Sequence, residues 1–217
     1  MSVVAASPSS SNGVSSAKVA ALPRRPSPFP TPAALALEQT SLRELERVFQ
    51  RGTMPDLDSL AGWEFRGINV VPLQSIRFME LVGIKKFVKG FYRSDDGRVM
   101  GYNSPAVCNV LDGRWHLKPS DSAPKRYGFY EAHPVDPTAR DNDALHAVLL
   151  DYGKGDNPRL DIMRGLRDYL VQVDPENPDL FLGKAHYAVG PARLNLGRVN
   201  FFILERYRRG LTDYASR

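Results

Sequence analysis

The stretch that decides the fold is residues 85–103, KKFVKGFYRSDDGRVMGYN. In its first half Phe87 and Phe91 fall on one face of an extended chain, and Val88 falls on the other. Alternation with a period of two residues predicts a β-strand. Residues 94–97, Ser-Asp-Asp-Gly, then combine polar turn formers with a glycine, and this combination is typical of a tight hairpin turn. The stretch therefore predicts two antiparallel strands joined by a short turn.

The same pattern recurs along the chain on both sides of this hairpin. Aromatic and β-branched runs bounded by turn residues predict strands at 62–70, 85–93, 98–103, 114–117, 125–133, 144–152, 168–173, 180–189 and 200–207. The strongly apolar run 144–152 also fits a buried helix, and we prefer a strand there. Helices are expected at 41–51, where Ser41 and Glu44 form a capping box, and more briefly at 73–82 and 160–166.

The arrangement of these elements predicts the fold class. Strands do not alternate regularly with helices, so a doubly wound parallel sheet is disfavoured. About nine antiparallel strands linked mostly by short turns fit best into a closed or nearly closed barrel, because closure removes exposed strand edges. We expect a mainly β (α+β) protein: an antiparallel barrel with one or two short flanking helices.

Residues 1–37 differ in composition from the rest of the chain. They are rich in Ser, Ala and Pro and have few large apolar residues, which predicts a disordered tail. Residues 38–217 are expected to form a single barrel domain with an N-terminal helix. We expect a cytoplasmic protein, although the acid-poor, Ser-rich tail also has the composition of an organelle transit peptide.

Charge and cysteine content exclude several classes of function. The net charge is +5, but three of the 29 Lys and Arg residues lie in the tail, which leaves 26 against 24 Asp and Glu in 38–217. This balance does not predict a nucleic-acid-binding face. No apolar run is long enough for a membrane span. The single Cys108 forms neither an intramolecular disulfide nor a cysteine-based zinc site. No spacing of histidines indicates a metal site, and we expect no cofactor.

Polar residues that interrupt apolar strands are the most informative functional signal. In 180–189, Lys184 and His186 share one face of the strand; if that face points into the barrel, they occupy a mainly apolar space, and if it points outward, they are solvated. Arg66 presents the same two alternatives. We expect the walls of a pocket to come from aromatic strand residues: Trp63, Phe65, Phe87, Phe91, Tyr127 and Phe129.

The order of these elements resembles the calycin group, the lipocalin-like and fatty-acid-binding-protein-like barrels. The likeness lies in a helix before the Gly62-Trp63 strand, a meander of strands, and a late strand with Arg206, over about residues 60–208. Gly62 and Trp63 are adjacent here, whereas those families usually separate them by one residue. The resemblance implies a barrel that holds a small lipophilic molecule. An arginine late in the last strand could also stack on Trp63 and close the barrel.

We therefore begin with three hypotheses about function. In the first, the barrel binds a small lipophilic or amphipathic ligand, and Lys184, His186 or Arg66 holds its polar end. In the second, the same pocket belongs to a cyclase, isomerase or hydrolase, with His186, Asp168 and Tyr130 as candidate catalytic residues. In the third, the tail and the helix at 41–51 recruit a protein partner. The oligomeric state is left open.

Overall fold

The computed structural model describes the backbone of residues 27–70, 85–139, 142–189 and 194–210, and the side chains of the same ranges except 189 and 194–199. Its centre is a closed antiparallel barrel in which eight strands follow one another in sequence order. The strands are β1 (Trp63–Val70), β2 (Lys86–Arg93), β3 (Val99–Pro105), β4 (Tyr127–Pro134), β5 (Val148–Asp151), β6 (Leu166–Asp174), β7 (Asn177–Val189) and β8 (Leu194–Arg209). The predicted antiparallel barrel is confirmed.

The segment 114–117, which we expected to be a further strand, lies outside the barrel. It forms one isolated bridge, between Ala106 and Leu117. Trp115 is buried, and its indole N–H donates to the carbonyl oxygen of Phe87 at 3.0 Å. The segment thus covers the outer surface of β2, since a buried indole needs both an apolar surface and an acceptor.

Strand register determines which side chains face the interior. Phe65 of β1 lies opposite Lys89 of β2, which in turn lies opposite Asn103 of β3. Every second residue of each strand points inward, and residues that lie opposite each other on neighbouring strands point to the same side of the sheet. Phe65, Lys89 and Asn103 therefore all face the interior of the barrel. Interior-facing apolar residues come from all eight strands and form one cluster. A second cluster lies on the outer face, between the strands and the helices.

Of the three α-helices in the described ranges, two cover that outer face. Helix α1 (Pro32–Glu38) lies against β8, and α2 (Leu42–Arg51) lies against β6 and β7 and buries Leu45 and Phe49. The predicted cap of α2 is confirmed, because the Ser41 hydroxyl accepts from the Glu44 amide at 3.3 Å. Part of the predicted tail, 32–37, is helical, whereas 1–26 and the predicted helix 73–82 fall outside the described residues.

The short helix α3 (Leu57–Leu60) packs at the end of the barrel where β1 begins. We call this the hairpin end, because the β2–β3 turn at 94–98 lies there. Arg206 lies over the Trp63 ring, with its Cζ 4.7 Å from the ring centroid, and donates to the Ser59 carbonyl oxygen at 3.0 Å. The stacking expected from the sequence is confirmed, and it ties the last strand to the beginning of the first.

We call the opposite end, where residues 152–165 join β5 to β6, the loop end. This segment contains a 3₁₀ turn at Ile162–Gly165, within the stretch where the sequence predicted a short helix. It is tied to β4 by Asn157, whose side-chain oxygen accepts from the Phe129 amide at 2.8 Å. Gly155 is needed beneath it, because a Cβ there would lie 1.8 Å from the Phe129 carbonyl oxygen. The segment 152–165 is therefore firmly anchored to β4.

Candidate functional site

Aromatic rings fill the interior at the hairpin end. Phe65 packs edge-on against both Phe91 and Phe181, with centroid separations of 5.4 and 5.5 Å, and Phe91 packs against Tyr130. These four rings are buried. Such edge-to-face contacts are favourable for aromatic pairs. Phe65 and Phe91, which we expected to wall a pocket, therefore pack mainly against other rings.

A charged cluster lies in the interior between these rings and the loop end. We call it the Lys89 cluster; it consists of Lys89, Asn103, Tyr152 and Asp168, all buried. Lys89 Nζ donates to Asp168 Oδ2 at 3.0 Å, to Asn103 Oδ1 at 2.9 Å and to the Tyr152 hydroxyl. Tyr152 in turn donates to Asp168 Oδ2 at 3.0 Å. All three protons of the ammonium group thus have acceptors.

Asp168 uses its two oxygens unequally. Oδ2 accepts from both Lys89 and Tyr152, and Oδ1 takes part in neither of these bonds. A carboxylate can accept about four hydrogen bonds through its two oxygens. Asp168 can therefore also accept from a hydroxyl or N–H group of a bound molecule.

Solvent exposure of the interior increases toward the loop end. Phe65 and Phe91 are 0% exposed, whereas Phe87 is 8% exposed and Asn200 is 9% exposed. Asn200 donates to the side-chain oxygen of Asn69 at 2.7 Å, so a second polar pair lies at this end. The interior is therefore slightly less enclosed beside Phe87 and Asn200 than at the rings of the hairpin end.

Burial changes the acid–base properties of the cluster. Desolvation lowers the pKa of Lys89 below its ordinary value, and the neighbouring Asp168 carboxylate partly opposes this effect. The pKa values of Tyr130 and Tyr152 are raised well above the ordinary value, first by burial and then by the charge of Asp168. Both tyrosines consequently keep their protons at neutral pH. The cluster pairs one cation with one anion, and this pairing suits a neutral polar group better than a charged one.

Arg66, a predicted ligand-binding residue, points out of the barrel. Its Nε lies 2.9 Å from Glu205 Oε2 as an ion contact rather than an aligned hydrogen bond, and its Nη1 donates to the Ser27 carbonyl oxygen at 3.1 Å. The guanidinium carbon also lies 5.9 Å from the centroid of the Trp115 ring and 5.2 Å from that of the Tyr207 ring. Arg66 therefore joins the outer face to the segment that precedes α1.

Lys184 and His186 also lie on the outer face. Lys184 Nζ pairs with Glu46 of α2 at 2.7 Å, so it is covered by a helix rather than solvated. His186 is buried beside Tyr169, and its Nδ1 has no hydrogen-bond partner among the side chains and backbone that the structure describes. The sequence left open whether this strand face points inward or outward. The register shows that it points outward, because Lys184 lies opposite Tyr169, a residue of the outer cluster, and His186 lies opposite Arg167.

The remaining predicted residues are divided between the two faces. Phe87 faces the interior and packs against Phe202 at 6.1 Å, whereas Trp63 lies at the hairpin end beneath Arg206. Tyr127 and Phe129 are half-buried, and Phe129 packs on an outer cluster with Tyr92 and Tyr102. Of the three candidate catalytic residues, Asp168 belongs to the Lys89 cluster. Tyr130 lies next to it and donates to the Gly90 carbonyl oxygen at 3.1 Å. His186 is on the opposite face of the sheet.

Sequence reasoning missed Lys89, Asn103 and Tyr152. A signal for Lys89 was present, since it shares a strand face with Phe87 and Phe91 in the opening hairpin. A lysine between two aromatic residues on a core face needs a buried partner. Its partners come from three other strands or their ends, and they become visible only when the register is known.

The burial of His186 leads to a prediction about pH. Desolvation lowers the pKa of His186 below its ordinary value, so below about pH 6.5 the unfolded chain takes up a proton that the folded chain resists. Stability should therefore fall as the pH drops from about 6.5 through the folded-state pKa. Urea unfolding of the wild type and of His186→Gln from pH 7.5 to 5 should show a shallower decline for the variant. Parallel declines would contradict this assignment.

A metal site is absent from the part of the chain that the structure describes. Within the described ranges, no group of three or more His, Cys, Asp or Glu side chains could hold a metal ion. No helix in those ranges is long and apolar enough to cross a membrane. Comparison with known proteins finds no matching family model, no matching curated protein and no matching solved structure.

Proposed function

We propose that this barrel binds a small, mainly apolar molecule whose hydroxyl or N–H group donates to the Asp168 carboxylate. The observation that carries the proposal is the Lys89 cluster, a buried ion pair in an aromatic interior. A buried ion pair of this kind is weak evidence that the pair stabilises the fold, because well-packed apolar residues in its place often give equal or greater stability. Few polar groups in a largely apolar site are typical of small-molecule recognition.

The packing of the interior limits the size of the ligand. An eight-stranded barrel has room either for side chains or for one small ligand, and here rings already occupy the hairpin end. Phe87 lies directly over Gly67, where a Cβ would come within 2.3 Å of its ring. Phe87 and its neighbour Phe202 lie between the loop end and the cluster, so a ligand entering there has to displace one of these rings.

The experiment compares two probes of the same shape. β-Naphthol carries a hydroxyl group and naphthalene does not, so their difference in affinity reports on a hydrogen bond at the cluster. We expect β-naphthol to bind at least about tenfold more tightly, since a hydrogen bond to a charged group contributes about 1.5–3 kcal/mol. Probe fluorescence measures both affinities, and native mass spectrometry measures the stoichiometry.

Two variants test whether the preference for β-naphthol over naphthalene arises at the Lys89 cluster. Lys89→Met combined with Asp168→Leu should abolish the preference for the hydroxyl group but retain binding of naphthalene. Lys184→Met, on the outer face, should leave both affinities unchanged. Failure of both probes to bind the wild type would overturn the pocket, and equal affinities would overturn the role of Asp168.

A second candidate function, an enzyme acting on a lipophilic substrate, is favoured by the same carboxylate. A buried carboxylate can accept a proton from a bound substrate, and Tyr152 and Lys89 lie within hydrogen-bonding distance of Asp168. The two functions can be distinguished by the molecule that the protein releases after incubation with a ligand or substrate. A binding protein releases the molecule unchanged, whereas an enzyme releases a product, and Asp168→Asn would stop its formation.

A further inference from the structure

Lys89 is a buried amine surrounded by aromatic rings. Four ring centroids lie 5.0 to 5.7 Å from its Nζ, those of Tyr130, Tyr152, Phe202 and Phe87. These rings interact favourably with the ammonium charge, but they also exclude water from it. A lysine that is desolvated in an apolar site is the kind of lysine that forms Schiff bases with carbonyl compounds. The surroundings of Lys89 are thus those of a reactive amine.

Asp168 can take the proton that the ammonium group has to lose before it reacts. Its Oδ2 accepts from Lys89 Nζ at 3.0 Å. Transfer of the proton along this hydrogen bond gives a neutral amine and a neutral acid, and neutral groups are much less costly than charged ones in an apolar interior. Desolvation acts in the same direction, because it lowers the pKa of Lys89. The free amine therefore forms without a base from solvent.

The two rings that a ligand has to displace also cover this amine. Phe202 and Phe87 pack against each other, and both lie within 6 Å of Lys89 Nζ. A molecule that takes the place of either ring consequently lies beside Nζ. Its apolar body fills the space that the ring leaves, and a carbonyl group at its end reaches the nitrogen.

We infer that the ligand of this barrel is a small lipophilic aldehyde or ketone, and that Lys89 binds it covalently as an imine. The inference rests on the proposed function, since it names the chemical class of the molecule held in the same interior. Its distinguishing feature is a carbon–nitrogen bond to the protein. The N–H group that donates to Asp168 is then the N–H of the protonated imine.

The reaction preserves the buried ion pair. Nζ attacks the carbonyl carbon and forms the new bond, and the carbonyl oxygen leaves as water with two protons from the nitrogen. The ammonium group begins with three protons and the protonated imine keeps one, so atoms and charge balance without an oxidant or a reductant. Asp168 carries protons between the nitrogen and the departing oxygen, and it ends as the counter-ion of the imine.

A second buried lysine shows why a lowered pKa is insufficient for this chemistry. Lys86 is buried on the outer face, and desolvation lowers its pKa to about 8. Its Nζ lies 3.7 Å from the centroid of the Trp115 ring, and it donates to the side-chain oxygen of Asn109 and to the Val110 carbonyl oxygen. Amide oxygens do not take up the proton at neutral pH as a carboxylate does. Lys86 therefore serves as the internal control for Lys89.

The test is reductive trapping on the full chain with 2-naphthaldehyde, which has the ring system of the two probes above. Cyanoborohydride reduces an imine to a stable secondary amine, and peptide mass spectrometry locates the added naphthylmethyl group. Exposed lysines are almost entirely protonated at pH 7, so we expect modification of Lys89 to be at least about tenfold faster than that of the exposed Lys125. Lys86 should remain unmodified, and excess β-naphthol should slow the reaction at Lys89.

Three variants assign the adduct to Lys89. Lys89→Arg keeps a cation beside Asp168 but forms no imine, because a guanidinium is not deprotonated in proteins. The double variant Lys89→Met with Asp168→Leu also lacks the amine and keeps an apolar interior, so it replaces Lys89→Arg if the larger side chain prevents folding. Both should lose the rapid adduct, whereas Lys184→Met on the outer face should react as the wild type does.

The outcomes distinguish this inference from the proposed function. Binding of β-naphthol without rapid modification of Lys89 would overturn the imine and leave the binding site intact. Modification of Lys89 by glyoxylate at the same rate would also overturn it, because a charged aldehyde reaches a buried amine only when the protein unfolds. Failure of both neutral probes to bind, together with an unmodified Lys89, would overturn the binding site and the imine alike.

Discussion

Replacing Asp168 with alanine should lower the free energy of unfolding by about 3–5 kcal/mol, because the variant leaves the Lys89 ammonium buried without its counter-ion. Lys89 Nζ would lose the 3.0 Å contact with Asp168, and Tyr152 would lose the acceptor of its hydroxyl proton. The remaining acceptors of Lys89 carry no full charge. Urea unfolding at pH 7, followed by tryptophan fluorescence, measures the loss.

A double variant distinguishes the net contribution of the ion pair to stability from the cost of removing only one of its partners. Lys89→Met with Asp168→Leu removes both charges and fills the space with apolar groups, so its stability should return to within about 1–2 kcal/mol of the wild type or exceed it. If Asp168→Ala alone costs less than about 1 kcal/mol, Lys89 is not charged in the folded protein. The buried ion pair, and with it the electrostatic argument for the cluster, would then be wrong.

Recovery of stability in the double variant would also bear on function. It would mean that the fold does not need the Lys89 cluster, so that the charges serve another purpose. Loss of the preference for β-naphthol in the same variant would then connect that purpose to ligand binding. Stability and binding are therefore measured on the same protein.

Much of the barrel was predictable from the sequence because strand signals are local. The hairpin at 85–103 is an example: alternation and turn chemistry act within a few residues, and the structure pairs Phe91 with Gly101 across the turn. The stacking of Arg206 on Trp63 was also predictable, since a closed barrel brings the first and last strands together. By contrast, 114–117 has a strand-like composition but packs across the outside, and only its tertiary surroundings distinguish the two cases.

The candidate site was predictable only in part, because it depends on register. A shift of one residue exchanges the two faces of a strand, and the sequence alone did not show which face of 180–189 points inward. Lys184 and His186 therefore lie outside, whereas Lys89 and Asp168 meet inside although 79 positions separate them in the chain. The outer face was also harder to interpret than a solvated surface, because α1 and α2 cover it and bury polar residues that pair there.

Replacing Glu205 with alanine should cost a similar amount, about 3–5 kcal/mol, but for a reason specific to the outer face. Glu205 Oε2 lies 2.9 Å from Nε of the buried Arg66, and both carboxylate oxygens accept from the Thr31 amide, at 3.1 and 3.3 Å. Thr31 is also the N-cap of α1. One carboxylate thus neutralises a buried guanidinium and holds the beginning of the first helix.

The Glu205→Ala variant should therefore show two effects together. Its urea midpoint should fall, and protease should cleave the segment 27–40 sooner than in the wild type, because α1 loses its anchor on β8. Glu44→Ala is the matched control, since Glu44 pairs with Arg47 at 2.7 Å on the exposed side of α2 and such pairs contribute less than about 1 kcal/mol. Equal losses in the two variants would contradict the buried pair. A stability loss without faster cleavage would mean that α1 is held by its packing against β8 rather than by Glu205.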